Sequence, residues 1–402
     1  MQTANARSAD LPALAPFEQS EFAARIERAR HGMRAARLDA LLVTTIPAFR
    51  YFTGYFPIIA ESPARPWFFL LPLEGQPQAI IPAMGVDDMA AASWVAAIDA
   101  WSSPNPGDEG VSLVARHIEA LDTRFGAIGM ELGPETRLGM TAADFETVKG
   151  RLRNRAITDA APLVQGLKAI LSPAELSRMQ RAADIVGDTF AAVPGLFEHG
   201  MSEARLHRLF QAEVLSRGAD YVRYLAIGSG PGGYDSICRG PLARAISTGD
   251  VLALDTGSVV DGYFCDYDRN FSIGPPSPET ARAYAALHLT VEAGIAAARP
   301  GVTAASVWRA MALRLTGAGL EAGSIGRMGH GLGMALTEPP SIHPDDQTVL
   351  AEGMALAIEP GLLYRDAGGV ARLMVHEENI VLTGDGNRPI TRRAPEEITV
   401  IA

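Results

Sequence analysis

Cysteine is almost missing from this chain. Cys238 and Cys265 are the only two in 402 residues, and no Cys-x-x-Cys spacing occurs. That leaves no disulfide framework and fits a reducing compartment. Long apolar runs are missing as well: nothing approaches the roughly 18 consecutive residues of a membrane span. There is no basic run and no arginine-rich patch interleaved with aromatics. The formal charge of −11 argues against a nucleic-acid partner, for which a basic face would be expected. The segment Met1–Leu14 carries Arg7 and Asp10 and has no apolar stretch of the signal-peptide kind, so a cytoplasmic protein is expected. No glycine-rich phosphate loop suggests a nucleotide.

What is present is ordinary globular composition, 48% hydrophobic and 20% charged, in a chain too long for one core. Two domains are expected, 1–165 and 166–402. In the first, an amphipathic helix over Phe17–Arg37 precedes a buried strand at Asp39–Thr45. Apolar runs at Trp67–Leu73, Gln78–Met84 and Gly126–Leu132 read as further strands. Val86–Val95, Asp108–Leu121 and Thr141–Leu152 read as helices between them. This is an α/β pattern.

The second domain opens sharply. Ser172 as N-cap, Pro173 behind it and Glu175 three residues after the cap form a capping box. Helices over 173–197 and 202–217 are followed by apolar runs at Asp250–Thr256 and Gly262–Ile273. Ser277-Pro278-Glu279 then starts the series again: helices over 278–298 and 303–319, a glycine-rich loop, and runs at Gly353–Leu363 and Leu373–Thr383. Two helices and a strand pair thus occur twice. The expected fold class is α+β, a pseudo-twofold domain whose halves lay helices over a shared antiparallel sheet.

Carboxylates stand where this pattern calls for apolar side chains. Val251–Leu254 wants full burial yet runs into Asp255. In the next strand Phe264, Asp266 and Asp268 share one face by alternation. A turn centred on Val260–Asp261 sets Asp255 opposite Asp266; one centred on Asp261–Gly262 sets it opposite Asp268. Either register gathers acids on one face, where they repel unless a cation lies between them. The second half repeats the anomaly. Met354–Ile358 runs into Glu359, and Val375, Glu377, Asn379 and Val381 share a face of the last strand. Glu378 and His376 fall on the opposite face and read as surface or interface groups.

One nitrogen ligand completes the set. His330 sits between glycines in Met328–Gly333, where backbone can pack closely around an ion. The bland reading of a lone histidine suits His31, His117, His199, His207 and His288, which lie in helical stretches or at a helix end. Four carboxylates and one imidazole favour Mn²⁺, Co²⁺, Fe²⁺ or Zn²⁺ with open positions. Two divalent ions can share the set if some carboxylates bridge, and such a pair would activate water and polarise a carbonyl.

In order and spacing, Asp255, Asp266 eleven residues on, His330 in a Gly-His-Gly loop, Glu359 in Glu-Pro-Gly and Glu377 in a final strand resemble the pita-bread metallopeptidases. LKAILSPAELSRMQRAADI at the domain junction and IPAFRYFTGY near the N-terminus are similar to the aminopeptidase P/prolidase/creatinase branch. The resemblance implies a pita-bread catalytic domain behind a smaller creatinase-type N-terminal domain. It also implies two divalent ions (manganese foremost), Glu359 as proton acceptor, a small-molecule or short-peptide substrate, and a homodimer.

The substrate side departs from that family. A histidine about seventeen residues before Asp255 is replaced by Cys238 or a neighbour. A second, seven after His330, is Thr337. Asp268 stands where threonine is common, and Val375 where arginine is usual. His343 is the candidate to supply the missing imidazole; the alternative is a turn residue beside Pro344. Cys238 reads as a thiol in the core or a turn, and Cys265 as core. Three functions follow in order: an Xaa-Pro aminopeptidase or dipeptidase acting near a free N-terminus; a hydrolase or lyase of a small nitrogen- or sulfur-containing compound, such as creatine, ectoine or dimethylsulfoniopropionate; and a non-catalytic binding module, which retention of all five ligands counts against.

Overall fold

A computed structural model describes residues 14–60, 62–152, 154–320 and 326–402. The start of the chain and part of the glycine-rich loop therefore lie outside the described residues. The chain divides into two compact units, Ala15–Lys168 and Ala169–Ala402.

The first unit is built on a six-stranded sheet. Its strands are β1 (Ala40–Val43), β2 (Phe68–Pro72), β3 (Gln78–Pro82), β4 (Ile98–Trp101), β5 (Ala127–Met130) and β6 (Ala156–Asp159), in the order β4-β3-β2-β1-β5-β6. Helices α1 (Gln19–Ala36), α2 (Ile46–Thr53), α3 (Val86–Ala92), α4 (Val111–Glu119), α5 (Ala142–Arg151) and α6 (Ala161–Ala169) accompany it. Strands β1 and β2 are buried at every position, as continuous apolar runs demand when both faces are covered. Phe68, Leu70, Ile80, Val114, Ile118 and Val148 form the core on one side. Helix α2 was not anticipated from periodicity. It begins with a proline in its first turn and ends on Gly54 in the left-handed region (φ 74°), a start and stop signal compressed into eight residues.

The second unit opens with α7 (Pro173–Leu196) and α8 (Glu203–Ser216). The Ser172 capping box forms as expected: the Ser172 hydroxyl accepts from Glu175 N–H and the Glu175 carboxylate accepts from Ser172 N–H. Then come β7 (Tyr221–Pro231), β8 (Asp250–Val260) and β9 (Tyr263–Ile273). Next are α9 (Pro278–Ala297), α10 (Ala304–Gly317), β10 (Gly329–Leu332), β11 (Glu338–Ser341), β12 (Ala355–Ile358), β13 (Gly361–Arg365) and β14 (Ala371–Val375). Strands β15 (Glu378–Thr383), β16 (Gly386–Pro389) and β17 (Thr399–Ile401) close the chain. The repeated pair of helices and pair of strands is there. Leu287, Val291, Val307 and Met311 of α9 and α10 pack with Leu356, Ile358 and Ile380 of the strands behind them.

Two expectations need correction. The halves do not share one continuous sheet: β17-β9-β8-β7 and β11-β10-β12-β15-β16 are separate. The run Leu373–Thr383 is not one strand either, because it breaks between β14 and β15 at His376–Glu377. Across the gap, the Asn379 side chain imitates a backbone pair. Its Oδ1 accepts the Asp266 N–H (3.0 Å) and its Nδ2 donates to the Asp266 carbonyl. A carboxamide sets an N–H donor beside a carbonyl acceptor much as a peptide unit does, so a side chain helps to join the seam.

Candidate metal centre

The β8–β9 hairpin sets the first two acids. Its loop is Asp261-Gly262, both with positive φ (47° and 87°), the backbone of a tight two-residue hairpin turn. That fixes the second of the two registers: Asp255 pairs with Asp268, and Asp266 with Gly257. All three acids lie inside the protein, Asp255 at 7%, Asp266 at 2% and Asp268 at 1% exposure. Strand β10 presents His330 beside Ala357 of β12, and Glu359 and Glu377 come from the chain just after β12 and just before β15. Gly329 has to be glycine here: its φ is 131° and an added Cβ would lie 2.1 Å from the Ala357 carbonyl oxygen.

These residues meet in two groups of three. Ligand atoms of Asp266, His330 and Glu377 lie within 4.8 Å of one another, as do those of Asp255, Glu359 and Glu377. Glu377 belongs to both groups. His330 Nε2 is 3.6 Å from Asp266 Oδ2, 3.9 Å from Glu359 Oε2 and 4.0 Å from Glu377 Oε1. His330 Nδ1 is 2.9 Å from the Gly331 carbonyl. A carbonyl can only accept, so Nδ1 carries the proton and Nε2 keeps its lone pair toward the acids.

The electrostatics are those of an anionic cluster held out of water. Burial pushes the Asp255 carboxyl up to about 7, against the pull of the Tyr224 hydroxyl and with the Asp268 charge adding to the rise. Burial, then the charge of Asp255, lifts Glu359 to about 8, with Arg327 opposing. Asp266 and Glu377 are driven well above the carboxylate range, by burial first and neighbouring acids second. Burial lowers the His330 imidazole to about 4. Glu377 Oε1 is buried without a hydrogen-bond donor, a costly state for an acceptor that nothing satisfies. Hard oxygen donors, one neutral imidazole nitrogen and an orphaned carboxylate oxygen would suit divalent cations, and Glu377 belongs to both groups.

Three nearby features were not legible beforehand. Tyr224 of β7 donates its hydroxyl toward Asp255 Oδ1 (2.7 Å) and contacts Asp266 Oδ1. Its only sequence signal was an aromatic in a strand that itself went unread. Asp268 accepts the Glu377 N–H (2.7 Å) and the Asn270 amide (2.8 Å), which pins the chain at a candidate ligand. His376 and Glu378 were placed at a surface or interface by simple alternation. They are 1% and 0% exposed, because the strand break turns both inward. Glu378 lies 3.2 Å from Arg269 and accepts from Ala394 N–H. Burial pushes its carboxyl up, but Arg269, His376 and Arg393 hold it below the ordinary value.

The substrate-side candidates do not join the cluster. His343 lies in an exposed turn, its Nδ1 accepting from Asp345 N–H at 3.3 Å and 3.7 Å from the Asp345 carboxylate. None of its hydrogen bonds or ion pairs reaches the five residues. Cys238 is an exposed thiol in a turn. Thr337 is half-buried just ahead of Glu338, whose carboxylate ties down Met334 N–H and Ala335 N–H. Cys265 is core, its thiol 3.7 Å from the Ser258 carbonyl.

Comparison with known proteins agrees with this layout. The model of metallopeptidase family M24 matches residues 177–384, and that of the creatinase/prolidase N-terminal domain matches 25–170. The chain is 27% identical to the probable dipeptidase PepE of Mycobacterium tuberculosis, over 96% of this chain and 98% of that protein. It is 23% identical to the Xaa-Pro dipeptidase of Lactobacillus delbrueckii subsp. lactis, over 92% and 97%. The solved structure of dipeptidase PepE from Mycobacterium ulcerans superposes with a TM-score of 0.82 at 27% identity, covering 96% of this chain and 100% of that one. With more than half of its length matched by the family model, behind a creatinase/prolidase N-terminal domain, the chain belongs to metallopeptidase family M24 and is a hydrolase.

Proposed function

We propose that this hydrolase is a dinuclear enzyme cleaving an amide bond next to a free amino terminus, in the manner of an Xaa-Pro dipeptidase or aminopeptidase. Asp255, Asp266, His330, Glu359 and Glu377 hold two divalent ions, with Mn²⁺ the first candidate. The observation that carries the reading is the pair of three-residue groups sharing Glu377, with a neutral imidazole lone pair turned toward the acids. Two such ions supply a polarised substrate carbonyl and a water acidified toward neutrality.

The protein's own groups provide the rest. Glu359 is the most accessible of the five, its side chain 21% exposed. Standing at the accessible side of the cluster, it is the group to take a proton from the attacking water and pass it to the leaving nitrogen. Tyr224 holds Asp255 and Asp266 at a fixed spacing. Asp268 keeps Glu377 in place through its backbone N–H.

The test is metal analysis together with turnover. Protein prepared with Mn²⁺ should carry about two ions per chain, and Asp255→Ala or Glu377→Ala should lose metal and activity together while still folding. A second reading, hydrolysis or lysis of a small nitrogen- or sulfur-containing compound at the same centre, is favoured by one observation: Cys238, Thr337 and His343 bring no imidazole to the cluster. Xaa-Pro dipeptides assayed against betaines and ureido acids separate the two. A homodimer in the cytoplasm completes the proposal, supported by the family resemblance and by two unpaired thiols. Among the described residues no helix is long and apolar enough to cross a membrane. Sedimentation measures the assembly directly.

A further inference from the structure

The loop 232–249 joins β7 to β8 and carries Cys238, and its first residues are built into the second unit. The Tyr364 hydroxyl donates to the Gly232 carbonyl, and the Tyr234 carbonyl accepts the Leu373 N–H at 2.7 Å. A Cβ on Gly233 would lie 2.6 Å from Arg372 Cβ and from the Tyr364 hydroxyl, so the chain here runs flush against β13 and β14. The Tyr234 ring is then buried, in a core cluster that includes Val251, Leu287 and Met374.

The Tyr234 hydroxyl starts a chain of hydrogen bonds. It accepts the Val375 N–H (2.7 Å) and donates to Asn270 Oδ1 (3.1 Å). Asn270 Nδ2 donates to Asp268 Oδ2 (2.8 Å) and to the Val375 carbonyl (2.7 Å). Asp268 Oδ1 in turn accepts the Glu377 N–H (2.7 Å). Each proton has one possible place. Carbonyls and carboxylates only accept, so Val375 and Asp268 orient the Asn270 carboxamide, and its oxygen then orients the Tyr234 hydroxyl. All three residues are buried, where an unmet donor or acceptor is costly. The backbone they hold is the break between β14 and β15, which consists of His376 and Glu377 alone. Val375 is held by its N–H and its carbonyl just before the break, and Glu377 by its N–H within it. Asp268 and Val375, two of the places where the sequence departs from the family pattern, meet in this one set of bonds.

We propose that Tyr234 and Asn270 are positioning residues for the metal centre, acting through Asp268 to fix the backbone that carries Glu377. The proposal rests on the dinuclear reading above. Among the described residues, neither side chain is hydrogen-bonded to any of the five candidate ligands, so the effect passes through Asp268 and the peptide chain. Groups one step removed from a metal typically change its affinity by about ten- to a hundredfold.

The experiment is calorimetric titration of the metal-free, full-length protein with Mn²⁺, paired with the visible spectrum of the Co²⁺-loaded form, whose bands follow ligand geometry. Tyr234→Phe keeps the ring and removes the hydroxyl; Asn270→Ala removes the carboxamide. Each should weaken Mn²⁺ by about tenfold or more and shift the Co²⁺ bands. The double variant should bind about as well as the weaker single one, because the two side chains belong to one chain of bonds. Tyr263→Phe is the control. It removes a buried hydroxyl that donates to Glu175 (2.8 Å) at the start of the same strand. It should lower the melting temperature in EDTA as Tyr234→Phe does, and leave Mn²⁺ affinity and the Co²⁺ spectrum unchanged. Wild-type affinity and an unshifted spectrum in Tyr234→Phe would overturn the proposal, whether or not Asn270→Ala folds. Fully additive losses in the double variant would also overturn it, as would an equal loss of affinity in Tyr263→Phe, the mark of a general loosening. A wild type that takes up no Mn²⁺ would instead remove the dinuclear reading, and the proposal with it.

Discussion

Without metal, the four acids should make the protein less stable as the solution becomes more alkaline, which is unusual for carboxylates. Paired acids normally have lowered pKa values and lose stability on acidification. Here Asp255 is raised from 3.8 to about 7 and Glu359 from 4.5 to about 8. Between the unfolded and folded values the native state binds more protons than the unfolded one, so stability falls as pH rises through that window. For Asp255 and Glu359 the fall should run from near pH 4 to about 8. A rise of three units at Asp255 corresponds to about 4 kcal/mol, at 1.36 kcal/mol per unit. Asp255→Asn removes that charge and keeps an oxygen to accept the Tyr224 hydroxyl. In EDTA at pH 8 the variant should therefore melt higher than the wild type, by on the order of 10 °C for a unit of this size. At pH 5 the gap should be less than half as large. With Mn²⁺ the order should reverse, because ions bound by the native state stabilise only the chain that holds them. Thermal unfolding by circular dichroism at the two pH values, with and without chelator, decides the matter. A chelated wild type as stable at pH 8 as at pH 5, with Asp255→Asn melting at the same temperature, would show that the acids carry no such strain.

Other substitutions probe the same frame. Gly329→Ala should destabilise the ligand loop by about 3 kcal/mol or more, from a Cβ 2.1 Å from a backbone oxygen at φ 131°, read as a lower melting temperature and lost metal. Tyr224→Phe should leave the fold intact and weaken metal binding about tenfold, since it frees two aspartate oxygens from a shared donor; unchanged metal affinity would remove Tyr224 from the site. His343→Ala should alter kcat/KM less than about twofold, because the imidazole sits in an exposed turn with Asp345. A loss of the 10²–10⁴ typical of general acid–base groups would mean that His343 reaches the substrate after all.

The acids were legible because they violate a pattern. A charge at the end of VLAL or MALAI stands out against burial on both sides, and the repeated Ser-Pro helix starts showed that the two violations occupy matching places. The hairpin register was narrowed to two choices, and Asp261-Gly262 selected one through its left-handed backbone. What failed was alternation carried through Leu373–Thr383. A period of two holds only while a strand continues, and nothing local in VHEEN marks the break at His376–Glu377. Strand β7 is not legible in the sequence because Tyr221–Tyr224 is only partly buried and gives no clean alternation, which hides Tyr224 as well. Helix α2 is short enough that IPAFRYFT offers scarcely two turns of periodicity.

The Asn379 carboxamide gives the cleft a consequence of its own. Asp255 and Asp266 belong to one sheet, His330 to the other, and Glu359 and Glu377 flank strands of that second sheet. Between the sheets, the bonds at Asp266 come from one side-chain amide where an unbroken ladder would have a row of backbone pairs. Asn379 does not act alone: Asp268 accepts the Glu377 N–H, Asn270 donates to the Val375 carbonyl, and the Phe264 N–H donates to the Gly333 carbonyl, hydrogen bonds that each contribute about 1 kcal/mol net. Cations seated in the cleft would be shared by acids of both walls. Bound ions would thus add links between two walls that the Asn379 seam already keeps in register.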